Sequence, residues 1–110
     1  MNPEQQILLS KMKRLIKNKR CRFEKRKDRD YKDDLYEIGI TEHDAWYKHI
    51  IYLQEVNYVV DYKPIYYKDK NSLVFKKRIN NIIVYIKLKI EINKETNEEC
   101  VCLSFHKDRR

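Results

Sequence analysis

The chain has 110 residues, room for one domain, which is expected to span 1–110. Lys and Arg number 25 against 17 Asp and Glu, and a hydrophobic share of 42% excludes a disordered tail. One glycine and two prolines exclude collagen-like and glycine-rich architectures, and no apolar run is long enough to span a membrane.

The expected elements follow in chain order. Residues 3–18 read as a helix, with Pro3 in the first turn and Ile7, Leu8, Met12, Leu15 and Ile16 at helical spacing. Lys11, Lys13, Arg14 and Lys17 fall on its other face. Charge placement in this opening stretch does not suit a signal peptide. Residues 28–38 read as a second helix through Tyr31, Leu35 and Ile38, stopped by Gly39. Thr41 is a good cap for a third helix, whose buried stripe is Ala45, Trp46, Ile50 and Leu53. His43 and His49 on it read as surface residues.

Beyond about residue 55 the period changes from helix to strand. Val56–Val60 is a short β-like run, and residues 61–71 form a polar loop rich in Tyr and Lys. Leu73–Ile79 and Ile82–Ile92 read as strands joined by an Asn80-Asn81 hairpin turn. Glu99–His106 alternates too, with Val101, Leu103 and Phe105 on one side and Cys100, Cys102, Ser104 and His106 on the other. With Cys21, the cysteines make an odd count without disulfide or zinc spacing, so free thiols in a reducing cytoplasm and no metal are expected.

The positive charge is local. Residues 11–32 hold 12 Lys and Arg against three acids, while the other 88 residues hold 13 against 14. A block of this kind attracts polyanions by releasing counterions from phosphates. Lys13, Arg14, Lys17, Arg20 and Arg22 are the candidate backbone contacts. A solvated helix face, or a docking surface for an acidic protein, explains the same pattern.

The strand pattern restricts the register, because a one-residue slip moves every apolar side chain to the wrong face. A turn at 94–97 places Ile86 opposite Phe105, Leu88 opposite Leu103 and Ile90 opposite Val101. The Asn80-Asn81 turn places Phe75 opposite Ile86 and Leu73 opposite Leu88, leaving Lys77 as a poor fit on the inner face. On the outer face this aligns Lys76, Tyr85 and His106 in one row, with Lys87 opposite Ser104. RNA cleavage at a 2′-hydroxyl needs a base, an acid and positive charge. A histidine serves as acid or base near neutral pH. Lys76, Lys87 or Arg78 stabilises developing negative charge, and Tyr85 stacks on a base or donates a hydrogen bond. Many amphipathic sheets expose the same residue types, so a non-catalytic nucleic-acid binder and a protein-docking module stand beside the enzyme.

The order of parts carries a resemblance. A basic helical half precedes Gly39-Ile40-Thr41 and a helix. A Tyr-bearing segment, the strand Val84-Tyr85-Ile86-Lys87-Leu88-Lys89 and then Leu103-Ser104-Phe105-His106 follow. From about residue 7 to residue 107 this resembles the MqsR family of type II toxin–antitoxin toxins. The resemblance implies a RelE-like α+β fold, with N-terminal helices on one face of a C-terminal twisted antiparallel sheet. It also implies a ribosome-independent endoribonuclease that cuts single-stranded mRNA, uses no cofactor and is silenced by a cognate antitoxin. Tyr85 matches the family's strand tyrosine, and His106 matches the position after the C-terminal Ser-Phe. Tyr58 falls in the family's aromatic segment, read here as Asn57-Tyr58-Val59-Val60, where Val60 replaces a lysine and Lys63 is the nearby substitute. Ser72 takes a polar position that is glutamine in some members. The expected site is therefore His106, Tyr85, Lys63, Lys76 and Lys87, with Tyr58, Ser72 and Arg78 joining the basic stretch in RNA binding.

Overall fold

The structure is a computed structural model, described here for residues 1–59, 71–95 and 97–109. The first helix, α1, spans Pro3–Lys17. Asn2 caps it by accepting from the Gln5 backbone N–H at 2.8 Å, and the Gln5 side chain accepts from the Asn2 N–H in return. Leu9, Met12, Leu15 and Ile16 form its buried stripe.

The chain then makes a three-residue strand, β1, at Cys21–Phe23. Helix α2 spans Tyr31–Ile38 and starts three residues later than its apolar pattern suggests. The side chain of Asp30 sets that start by accepting from the Lys32 N–H. Gly39 ends the helix in the left-handed region at φ 86°, where its N–H reaches the Leu35 carbonyl. Thr41 caps α3, Glu42–Asp44, which continues as a π turn over Ala45–His49 and a 3-10 turn over Ile50–Tyr52. Ala45, Trp46, Ile50 and Leu53 are buried, as their spacing predicts.

Of the expected β-like run at 56–60, Val56 and Asn57 lie in a 3-10 turn, Glu55–Asn57, Tyr58 makes an isolated bridge to Phe75 with the Val59 N–H donating to Val74, and Val60 lies outside the described residues. Strands β2 (Ser72–Ile79), β3 (Ile82–Asn93) and β4 (Asn97–Lys107) follow. The sheet order is β1-β4-β3-β2. The α+β class stands, with helices packed on one face of the sheet. The sheet is mixed, because β1 adds to the edge of β4 in parallel. Its three residues sit inside a basic run that carries no strand signal of its own.

Leu73, Phe75 and Ile79 of β2, Val84, Ile86, Leu88 and Ile90 of β3, and Phe105 of β4 join the helix stripes in one core. Each such Leu, Ile or Phe contributes about 1.5–3 kcal/mol on full burial. Cys100 and Cys102 also face this core, opposite to the expected side, and burial pushes both thiols well up. All three cysteines are free. No helix among the described residues is long and apolar enough to cross a membrane.

Candidate functional site

Two turns and one irregularity build the solvent face of the sheet. Asn80 and Asn81 both adopt positive φ, 51° and 64°, the conformation a two-residue hairpin turn requires. Ile79 thereby pairs with Ile82 and Lys76 stands opposite Tyr85. At the other hairpin the ladder closes on Asn93 opposite Asn97, one residue tighter than expected. A bulge at Leu103, opposite Lys87 and Leu88, restores that residue. The two shifts cancel along the upper half of the strands, so Tyr85 still faces His106 and Lys87 still faces Ser104. They do not cancel below the bulge. There Leu88 faces Cys102 and Ile90 faces Cys100, in place of Leu103 and Val101. Val101 consequently turns to the other face, between its register partners Arg22 and Lys89.

The row Lys76–Tyr85–His106 thus lies across three adjacent strands on the side away from the helices. The Tyr85 and His106 rings stack at 5.2 Å with an interplanar angle of 17°. His106 Nδ1 lies 2.9 Å from the Lys107 carbonyl. A carbonyl only accepts, so in the neutral ring the proton sits on Nδ1 and Nε2 carries the lone pair. Lys76 Nζ pairs with Asp108 at 2.9 Å. Asp108 extends the strand by donating its N–H to Ile83 at 2.8 Å. It was missed by sequence reasoning, yet the signal was present: it stands two residues beyond His106, so alternation puts both on one face. A shallow cleft beside His106 is bounded by Glu24, Arg26, Arg29 and Ser104. Arg29 is held there bidentately by Asp34, at 2.8 and 2.7 Å.

Comparisons with protein-family models, with curated proteins and with solved structures found no match.

The other expected site residues divide by location. Lys87 and Arg78 share the solvent face with the row, and Arg78 is exposed. Ser72 is on that face too, opposite Lys89, but its hydroxyl is shut from solvent with no hydrogen-bond partner among the described residues. Tyr58 is not with them. It pairs with Phe75, packs edge-on against that core ring at 5.9 Å, and its hydroxyl accepts from Gln5 Nε2 at 2.8 Å. It therefore belongs to the helix side of the sheet. Lys63 and Val60 lie outside the described residues.

The basic stretch does not form one surface. Lys13, Arg14 and Lys17 ride on α1, in the layer opposite the row. Partial burial and neighbouring Lys17 hold the Lys13 ammonium below the usual lysine range. Lys11 pairs with Glu98. Arg20 stands between α1 and β1, where its carbonyl accepts from the Cys100 N–H. Arg22 comes to the solvent face of the sheet and bridges Glu91 and Glu99, at 2.8 Å to each. Its guanidinium is raised above the usual arginine range, chiefly by the hydrogen bond to Glu99. Among the described residues no cluster of His, Cys, Asp and Glu has metal-binding geometry.

Proposed function

We propose that this chain is the toxin of a type II toxin–antitoxin system, an endoribonuclease that cleaves single-stranded mRNA in the cytoplasm. The observation that carries the reading is the stacked Tyr85–His106 pair set in a row with Lys76. In the reaction the 2′-oxygen attacks phosphorus and the bond to the 5′-oxygen breaks. A base removes the 2′-hydroxyl proton and an acid delivers one to the departing 5′-oxygen. His106 Nε2 is the proton acceptor of the row, and its imidazolium is the matching acid. Lys76 and Lys87 stabilise charge on the phosphorane, and Tyr85 positions a base or the scissile phosphate. Imidazole and ammonium groups supply both proton transfer and charge, so the chemistry needs no metal. The cations of α1, on the far layer, serve a cognate antitoxin in this scheme.

The test is incubation of the purified protein with single-stranded RNA in EDTA. Cleavage to 2′,3′-cyclic phosphate and 5′-hydroxyl ends supports the enzyme. Binding without cleavage makes the chain an RNA-binding protein, and neither binding nor cleavage makes it a docking module.

A further inference from the structure

The row supplies one histidine, and cleavage at a 2′-hydroxyl moves two protons: one leaves the 2′-oxygen and another reaches the 5′-oxygen. The cleft beside His106 holds a second acid–base group. Its outer wall is the segment between β1 and α2, which is pinned at both ends. The Glu24 N–H donates to the Cys102 carbonyl at 3.0 Å, so the backbone follows β4 one residue past β1. Tyr31 stacks on Phe23 at 4.6 Å, with 6° between the rings. Arg22 is on the solvent face, where it bridges Glu91 and Glu99, and alternation puts Glu24, two residues on, on that same face. Glu24, Ser104 and His106 line the cleft together, and His106 lies two residues beyond Ser104 along β4. With strands about 4.8 Å apart and a rise of about 3.3 Å per residue, a two-residue diagonal spans about 8 Å. A phosphate fits such a gap with one group on either side, which in-line attack and departure require. Arg29 lines the same cleft, and Asp34 grips its Nε and Nη2. That grip uses two of the five N–H donors of the guanidinium and fixes its plane.

We infer that Glu24 is the general base of the site and His106 its general acid, with Arg29 binding the phosphate between them. The inference rests on the RNA-cleaving reading above and divides the two proton transfers between two residues. The Glu24 carboxylate takes the 2′-hydroxyl proton as the 2′-oxygen bonds to phosphorus. The bond from phosphorus to the 5′-oxygen breaks, and the His106 imidazolium passes its Nε2 proton to that oxygen. The products are a 2′,3′-cyclic phosphate and a 5′-hydroxyl. Glu24 is left protonated and His106 neutral, and proton exchange with water restores both. The Nδ1 contact to the Lys107 carbonyl survives the step, because Nδ1 carries its proton in either form of the ring.

The test compares natural RNA with RNA whose scissile 5′-oxygen is replaced by sulfur. A thiolate departs without being protonated, so the sulfur substrate has no use for a general acid. Glu24→Gln is expected to cut natural RNA about 10²–10⁴-fold more slowly and to stay slow on the sulfur substrate. His106→Ala is expected to be slow on natural RNA and to approach the parent rate on the sulfur substrate. Glu24→Asp, which keeps a carboxylate, is expected to retain part of the rate. RNA with a 2′-deoxy sugar at the cleaved position binds but is not cut. Glu24→Gln is expected to bind it like the parent, which places the loss in kcat. Arg29→Ala is expected to weaken that binding and to lower its salt slope by about 0.7, the share of one phosphate on a single strand. The double variant R29A/D34A is expected to do the same without leaving an orphaned carboxylate. Circular dichroism and melting establish that each variant is folded. Parent-like cleavage of natural RNA by folded Glu24→Gln, or sulfur rescue of Glu24→Gln in place of His106→Ala, overturns the assignment and leaves the nuclease standing. An unchanged salt slope in both arginine variants overturns the phosphate contact. Both RNAs left intact by the parent chain would remove the nuclease and this inference with it.

Discussion

Tyr85 and His106 present their rings face to face on the solvent side of β3 and β4, 5.2 Å apart. The pairing is enforced from both ends. The register places the two backbones opposite each other, and the Nδ1 contact to the Lys107 carbonyl fixes the imidazole against rotation. A ring locked by stacking and one hydrogen bond keeps Nε2 aimed in a constant direction, which proton transfer requires. Replacing His106 by Ala is expected to lower RNA cleavage by about 10²–10⁴-fold, the usual share of a general acid–base group. Tyr85→Phe keeps the stack and is expected to bind RNA like the parent chain. Tyr85→Ala loses a stacking platform of about 1–3 kcal/mol. Single-turnover cleavage together with binding of an uncleavable RNA separates these effects. Full cleavage by His106→Ala would remove the imidazole from the mechanism.

Tyr58 gives the opposite expectation. Its ring leans on Phe75 in the core, and its hydroxyl accepts from Gln5 of α1. The phenol ties the first helix to the edge of the sheet, on the face away from His106. Tyr58→Phe deletes that bond while keeping the ring, and is expected to cost about 0.5–1.5 kcal/mol in denaturant unfolding. Cleavage rate per folded molecule is expected to stay within twofold of the parent. A large loss of activity at unchanged stability would bring Tyr58 back into the site.

The row was legible in the sequence because period-two alternation and the Asn80-Asn81 turn each constrain the register independently. The bulge at Leu103 was not legible. Nothing in Val101-Cys102-Leu103-Ser104 breaks the alternation, and no glycine or proline marks the extra residue. Its effect was hidden further because the ladder closes on Asn93 opposite Asn97, one residue tighter than expected, so the two differences cancel at Tyr85 and His106. Strand β1 escaped for another reason. Cys21–Phe23 is too short for a periodic signal and gains its place by pairing in parallel with residues 100–102, a contact between distant parts of the chain. The same non-local pairing puts Arg22 beside Glu91 and Glu99, which the charge pattern of residues 11–32 alone could not reveal.

Gly39 and Asn80 form a second junction, between α2 and the β2–β3 turn. Gly39 holds φ 86°, and a Cβ there would lie 3.6 Å from Asn80 Nδ2, an ordinary contact. The cost of Gly39→Ala is thus conformational rather than steric crowding, about 1–2 kcal/mol for the left-handed region. Asn80 Nδ2 also donates to the Ile38 carbonyl at 3.1 Å, satisfying one of the open acceptors at the end of α2. Asn80→Gly keeps the positive φ but loses this bond, and is expected to cost about 0.5–1.5 kcal/mol. Asn80→Ala loses both and is expected to be the least stable of the two Asn80 variants. Equilibrium unfolding in urea checks the ranking, and equal midpoints for the two would contradict it.

His49 provides a pH dependence that is separate from the Tyr85–His106 row. It lies at the end of the π turn, and its carbonyl accepts from Lys77 Nζ at 3.4 Å. Nδ1 is closed off from solvent with no hydrogen-bond partner among the described residues. Burial, then the Lys77 charge, holds the imidazole below the usual histidine range; Asp44 opposes this and Lys48 adds to it. Burial likewise lowers the Lys77 ammonium. The unfolded chain therefore binds a proton at His49 more readily than the folded one. Stability from this group is complete above the ordinary histidine value and is lost as pH falls through it. Thermal unfolding between about pH 8 and about pH 5.5, on either side of that value, is expected to show a falling Tm for the parent chain. His49→Gln, which does not titrate, is expected to flatten the curve. Lys77→Met is expected to flatten it in part, by removing the cation that opposes protonation. Parallel curves for the parent and His49→Gln would show that His49 titrates alike in both states, and the acid sensitivity would then belong elsewhere.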